Sequence, residues 1–166
     1  MLNYFRLGFT FVIGIVGMIL IIIGFTTHEP WMFVIGPTLM LAVAKMESNQ
    51  FLQILQVLVC IGGLLGVWGA ETLVRVGFLI PLIILALYSL HLLKQLWKNF
   101  FGVVGLILLG ISFASGNVPT LSFVASILIS IHASIEIHRG VWIASVWVGL
   151  NLTACVIIVL QIFEVC

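Results

Sequence analysis

Polar residues divide the chain into seven apolar runs. The first extends from Gly8 to about Thr26, behind a short polar lead, Met1 to Leu7, that carries Arg6. Trp31 to Met46 and Phe51 to Ala70 form the second and third, and Leu73 to Leu93 the fourth. The fifth is Phe100 to about Ser115, the sixth Thr120 to Arg139, and the seventh Val141 to about Phe163. Crossing the hydrocarbon of a bilayer takes roughly 20 mostly apolar residues, so the pattern predicts an all-α polytopic membrane protein with seven transmembrane helices. The first run reads as a retained helix and not as a signal peptide, because GFTTHEPW after it holds no small-residue cleavage site. The second is short and contains Pro37, whose ring removes a backbone hydrogen bond and frees the carbonyl of Phe33. A kinked span or a re-entrant segment is expected there. Asn117 is expected to cap the sixth helix ahead of Pro119.

The sixth run has an internal pattern. Wound at the helical period, Ser122, Ala125, Ser126, Ser130, His132, Ala133 and Glu136 share one stripe, while Phe123, Val124, Ile127, Leu128, Ile131 and Ile135 lie opposite. Ionisable groups on a membrane helix are costly and face a bundle interior or an aqueous cavity. The stripe is therefore expected to face the bundle. Small residues also let helices approach closely, which is the purely structural reading of the same serines.

Two stretches repeat. GIVGMILIIIGF at Gly14 to Phe25 lies over GVVGLILLGISF at Gly102 to Phe113, with Gly14, Val16, Gly17, Ile19, Leu20, Ile23 and Phe25 matched by identical residues. After one inserted residue Pro30 aligns with Pro119, Leu39 with Leu128, and Ala44-Lys-Met-Glu47 with Ala133-Ser-Ile-Glu136. Helices one to three then correspond to five to seven. The chain divides into repeat one (1–72), a linker helix (73–99) and repeat two (100–166). Four crossings return the chain to its starting side, so the two three-helix repeats are parallel (3+1+3). Parallel repeats about an axis along the membrane normal are a recurring plan of secondary transporters, with the site between the halves. This layout resembles that of the SWEET and PQ-loop families and implies a carrier of that general kind. Their proline-glutamine pairs are absent, since neither Gly8 to Thr26 nor Phe100 to Ser115 contains proline, and no residue roles are transferred.

Composition sharpens the class. Of 166 residues 63% are hydrophobic and only 7% charged, which leaves no stretch for a water-soluble domain. Six basic against five acidic residues make no basic patch for nucleic acid. The expected partners are the lipid bilayer, a small solute or ion, and a second copy or a membrane-complex neighbour. Cys60, Cys155 and Cys166 follow no metal-ligand or CxxC spacing and read as small apolar packing residues. With seven spans, Arg6, Lys45, Lys94, Lys98 and Arg139 fall on the side of the amino terminus and Arg75 on the other. That bias places the amino terminus in the cytoplasm and the carboxyl terminus outside, in a plasma or bacterial inner membrane. Trp31 and Trp68 then anchor the outer ends, and Trp97 and Trp142 the inner ends.

Glu47 and Glu136 become repeat mates at the ends of helices two and six, candidates for gating or proton coupling. A carboxylate there is opposed by the helix macrodipole, at about 0.3–1 kcal/mol when exposed, so each calls for a partner among Lys45, Lys94, His138 and Arg139. A structural salt bridge is the alternative. Ser126, Ser130, His132 and Asn151 are the candidate pore- or substrate-lining residues. Gln53, Gln56 and Thr153 read as interhelical hydrogen-bonding groups. Catalysis has little support: His91, His132, His138 and Glu136 do not follow a zinc spacing, and there is no HExxH, no GxSxG and no phosphate-binding glycine loop. No catalytic residue, metal or cofactor is expected, and a retinal Schiff base is excluded because the seventh helix has no lysine. The sequence thus points first to a small carrier or channel-like transporter with its site between the repeats. A non-catalytic subunit of a membrane complex comes second and an intramembrane enzyme third.

Overall fold

A computed structural model describes residues 2–27, 29, 31–115 and 118–163. They form seven helices: α1 (Leu2–Thr27), α2 (Met32–Met46), α3 (Gln50–Val67), α4 (Thr72–Leu92), α5 (Phe100–Ala114), α6 (Pro119–His138) and α7 (Ala144–Ile162). No strand occurs among the described residues. α3 starts at Asn49, whose side chain accepts a hydrogen bond from the Leu52 N–H at 3.1 Å. α6 starts at Pro119 behind Val118, and the expected cap, Asn117, lies outside the described residues.

Four helices end alike. Past α2, α3, α4 and α6 the chain turns through a residue of positive φ, respectively Ser48, Gly69, Lys94 and Gly140. The next N–H then reaches back to the last turn: Asn49 to Ala44, Ala70 to Leu65, Gln95 to Leu90 and Val141 to Glu136. This is the Schellman arrangement, which satisfies the orphan carbonyls of a helix end and favours glycine at the turning residue. Two of the four positions are not glycine. Ser48→Gly and Lys94→Gly are therefore expected to raise the thermal midpoint in detergent, each by up to about 1 kcal/mol of stability, because glycine enters this conformation without a Cβ penalty.

Pro37 does not break α2. The helix is continuous from Met32 to Met46, and the Val34 carbonyl beside the proline accepts from Thr38 Oγ1 at 2.6 Å and from Cys60 Sγ at 3.7 Å.

The helices close into a ring. α1 packs on α2, α2 on α3, α3 on α5, α5 on α6, α6 on α7, and α7 back on α1. α4 stands outside, against α3 and α5, and buries only Leu79, Ile83, Ala86 and Leu90 along one edge. Its remaining surface, including Phe78, Ile84, Leu85 and Tyr88, is exposed and apolar. Exposed Val124, Ile127 and Ile131 give α6 a similar outer face. α3, α4, α6 and α7 are long and apolar enough to cross a bilayer, while Gly8–Gly24 within α1, α2 and α5 are shorter apolar segments. These are the features of a helical membrane protein, in which apolar surface turns outward to lipid and helices associate through close packing. Glycines supply that closeness between neighbours in the ring. A Cβ at Gly17 would stand 2.9 Å from Met40 Cγ and 3.0 Å from the Gly36 carbonyl oxygen across the α1–α2 seam. One at Gly105 would stand 2.7 Å from Ile129 Cγ1 and 3.0 Å from the Ala125 carbonyl oxygen across the α5–α6 seam.

Candidate functional site: a chamber at the centre of the ring

The inner faces of α3 and α7 carry one apolar residue per turn, and each admits a carboxamide among them. On α3 the buried positions include Leu52, Leu55, Gln56, Val59 and Gly63, and on α7 Trp147, Leu150, Asn151, Ala154 and Ile158. Helical spacing therefore carries Gln56 and Asn151 inward with their apolar neighbours. They meet at a chamber of ≈ 40 Å³. Every helix of the ring reaches its wall: Ile21 from α1, Phe33 from α2, Leu55, Gln56 and Val59 from α3, Leu109 and Phe113 from α5. Ser126 and Ile129 come from α6, and Trp147, Leu150, Asn151 and Ala154 from α7. α4 contributes nothing to it.

The polar part of this wall is deeply buried and incompletely paired. Asn151 Nδ2 donates to the Trp147 carbonyl at 2.8 Å, which fixes the amide orientation and leaves its oxygen on the far side of the group. Gln56 Oε1 and Trp147 Nε1 have no hydrogen-bond partner among the described residues, although the two side chains are only 3% and 1% exposed. A buried polar atom left unpaired costs about 1–3 kcal/mol, so each asks for a partner that the described residues do not supply.

A second, wholly different cavity lies at the end of the ring where α2 turns into α3. It measures ≈ 170 Å³ and is walled by Glu47, Ser48, Asn49 and Gln50, by Gln95, Lys98 and Asn99, and by Glu136 and Val141. Glu136 is 8% exposed and accepts from Arg139 Nη1 at 2.5 Å, so Arg139 is its partner. Gln95 bridges the connection before α5 to the start of α3 through Gln50 Oε1 at 2.9 Å. Glu47 and Glu136 thus face one cavity, in the company of Lys98.

Between the two cavities stands His132. Its ring meets Phe51 edge to face, with centroids 4.5 Å apart and planes at 72°, and lies against the backbone of Gly102. Its Nε2 and the Oγ of Ser130 are buried without a partner among the described residues.

The stripe on α6 is buried throughout, from Ser122 through Ser126, Ser130 and His132 to Glu136. Of the four candidate lining residues, Ser126 and Asn151 reach the chamber, whereas Ser130 and His132 are buried outside its wall. Of the three interhelical candidates, Gln53 makes such a link, its Nε2 donating to the Ala44 carbonyl at 3.3 Å. Thr153 instead donates to Gly149 within its own helix at 2.8 Å. Gln56, read from the sequence as an interhelical hydrogen-bonding group, stands in the chamber wall with its Oε1 unpaired among the described residues, and Trp147 is a wall residue that the sequence did not single out. A signal for Trp147 was present, because it lies more than a turn past Val141, where the seventh apolar run begins, while Trp31, Trp68, Trp97 and Trp142 are all exposed at helix ends or in connections. Among the described residues no three His, Cys, Asp or Glu side chains gather as metal ligands. Comparison of the chain with protein-family models, with curated proteins and with solved structures finds no match in any of the three.

Proposed function

We propose that the protein is a small carrier or channel-like transporter in which two parallel three-helix repeats, α1–α3 and α5–α7, enclose a solute site, with α4 as the linker. The observation that carries this reading is the chamber itself. Six helices contribute to its wall, and Gln56, Ser126 and Asn151 set polar side chains among its apolar residues.

Support for the repeat comes from matched contacts. In the sequence register of the two halves, Gly17 corresponds to Gly105, Gly36 to Ala125 and Met40 to Ile129, and the glycine seams described above join these same residues in each half. The seams between halves correspond as well: Gly14 faces Val146 from α7, and Gly102 faces Phe51 from α3. Pairing Phe51 with Val146 sets Leu55 against Leu150, Val59 against Ala154, and Gln56 against Asn151. The two carboxamides of the chamber become mates across an axis through its centre. The cavity bearing Glu47 and Glu136 lies at the end rich in lysine and arginine, which the basic bias assigns to the cytoplasm together with the amino terminus.

The test is access to water. In a background with Cys60, Cys155 and Cys166 replaced by serine, Ser126→Cys in membrane vesicles is expected to react with a charged, membrane-impermeant methanethiosulfonate. Reaction only after the protein is denatured would discard the transporter. It would favour the second reading, a packing subunit of a larger assembly, for which the outward apolar groove between α3 and α4 around Val57, Leu82 and Leu85 offers a surface.

A further inference from the structure

We infer that the groove between α3 and α4 holds an acyl chain of an anionic phospholipid, with the lipid phosphate at Lys45 and Lys94. The groove measures ≈ 310 Å³ and opens on the outside of the ring, apart from the chamber. α3 and α4 run in opposite directions, tied at one end by Gln95 to Gln50 and at the other by Arg75 Nε, which donates to the Ala70 carbonyl at 2.7 Å. Across the groove Gln53 therefore stands level with Ser89, Val57 with Leu85, and Ile61 with Leu82. Beyond Ile61 the seam is shut, because Leu65 and Leu79, 4% and 0% exposed, pack together with Ala114 of α5. The opening thus occupies only the half of the seam toward Lys45 and Lys94. At about 1.5 Å per residue, Gln53 to Ile61 spans about 12 Å, close to the roughly 15 Å of hydrocarbon in one leaflet. A partner helix crossing the bilayer would lie along the whole seam, whereas a lipid tail reaches from one surface to the middle.

The lining has the same polarity as a phospholipid. Gln53 and Ser89 are its only polar side chains, and both stand at the basic end, level with the ester region; the rest of the wall is hydrocarbon. Charge completes the match. Gln53 Nε2 donates to the Ala44 carbonyl at 3.3 Å, which brings the end of α2 to the mouth of the groove, and Lys45 follows one turn after Leu41 of its wall. Gln95 Nε2 donates to Gln50 Oε1 at 2.9 Å and so holds the turn bearing Lys94 against the start of α3. Lys45 and Lys94 are exposed, and neither has a salt bridge among the described residues. Glu47, the carboxylate nearest to them in sequence, lines the polar cavity at the end of the ring. Lysines at a membrane surface attract anionic lipid, each by about fivefold in affinity.

Native mass spectrometry reads the bound lipid directly. The full-length protein is released from detergent micelles to which dioleoyl phosphatidylglycerol or dioleoyl phosphatidylcholine has been added. One phosphatidylglycerol per chain is expected to stay bound, with half-saturation about fivefold or more below that of phosphatidylcholine. Lys45→Gln combined with Lys94→Gln is expected to remove that preference. Val57→Phe turns a bulky ring into the groove from a residue 42% exposed, and is expected to weaken retention of both lipids about tenfold at an unchanged melting temperature. Leu85→Trp on the facing wall, 58% exposed, is the second variant of that kind. Equal half-saturation of the two lipids on the parent protein would overturn the inference. So would a folded Val57→Phe or Leu85→Trp protein that retains lipid like the parent, or a preference that survives the loss of both lysines. A dimer that forms in place of the lipid adduct and is lost in Val57→Phe would give the groove to a second copy, and that too would overturn it. The headgroup comparison needs no substitution, so it decides the matter even where both filled variants fail to fold. Neither outcome depends on whether Ser126→Cys reacts from water, so this site and the transporter stand or fall separately.

Discussion

Gly102→Val is expected to be among the most damaging single substitutions in the bundle, lowering stability by about 3 kcal/mol or more and preventing a monodisperse preparation in detergent. A Cβ at this position would stand 2.5 Å from Phe51 Cζ and 2.8 Å from both Cγ and Cδ2 of His132. Neither ring has room to withdraw. Phe51 and His132 are 1% and 2% exposed and already pack edge to face, so moving one displaces the other. The position also joins three helices, because Gly102 is on α5, Phe51 on α3 and His132 on α6. Even Gly102→Ala is expected to lower the thermal midpoint measurably. Gly77→Ala on α4, where a Cβ would meet nothing within 4 Å, is the matched control and is expected to leave the midpoint unchanged or raise it. If Gly102→Ala and Gly77→Ala melt together, the three-helix contact is not part of the folded protein.

The second large effect is an asymmetry between the partners of one ion pair. Arg139→Ala should destabilise the protein by about 2–3 kcal/mol, and Glu136→Gln by less than half of that. Glu136 lies at the carboxyl end of α6 with its side chain only 11% exposed, so the helix macrodipole and its burial both disfavour its charge. Arg139, 39% exposed at 2.5 Å, offsets both. Removing the arginine strands a carboxylate in poor surroundings, whereas removing the carboxylate's charge leaves an arginine that turns to water. Thermal melts of the two single variants and the double variant give the coupling directly. Equal losses from the two single changes would mean that the pair is an ordinary surface contact.

The stripe of α6 was legible because its serines recur every fourth residue and its branched apolar residues fill the other side; Ser122, Ser126 and Ser130 are buried, Val124, Ile127 and Ile131 are exposed, and Leu128 and Ile135 are half-buried. Helix existence was legible for the same reason, since long apolar runs interrupted by Glu47-Ser-Asn-Gln50 or His138-Arg139-Gly140 leave few alternatives. Boundaries were less so. α7 begins at Ala144 and not at Val141, because the positive-φ turn at Gly140 and the hydrogen bond from Val141 to Glu136 consume the intervening residues. The ring was not legible at all. Periodicity tells which face of a helix is buried and says nothing about which neighbour buries it, so the meeting of Gln56, Ser126, Trp147 and Asn151 depends on closure of α7 onto α1 and α3 onto α5. The same gap explains Gln56. A glutamine on an apolar face looks alike in sequence whether a neighbouring helix or a chamber lies opposite it.

The place of α4 outside the ring bears on descent. Three crossings leave a chain on the wrong side of a membrane to begin the same three again, and one additional helix corrects that parity without entering the wall. Under the proposed repeat, an unfused ancestor would have been a half-length chain pairing with a copy of itself in the same orientation, its chamber shared equally by two identical genes' products. Fusion would then have required only a single new crossing attached by one edge, Leu79, Ile83, Ala86 and Leu90. Under the same proposal, fused halves would have been free to diverge, so that glutamine on one side could come to face asparagine on the other, and a symmetric chamber could acquire a direction.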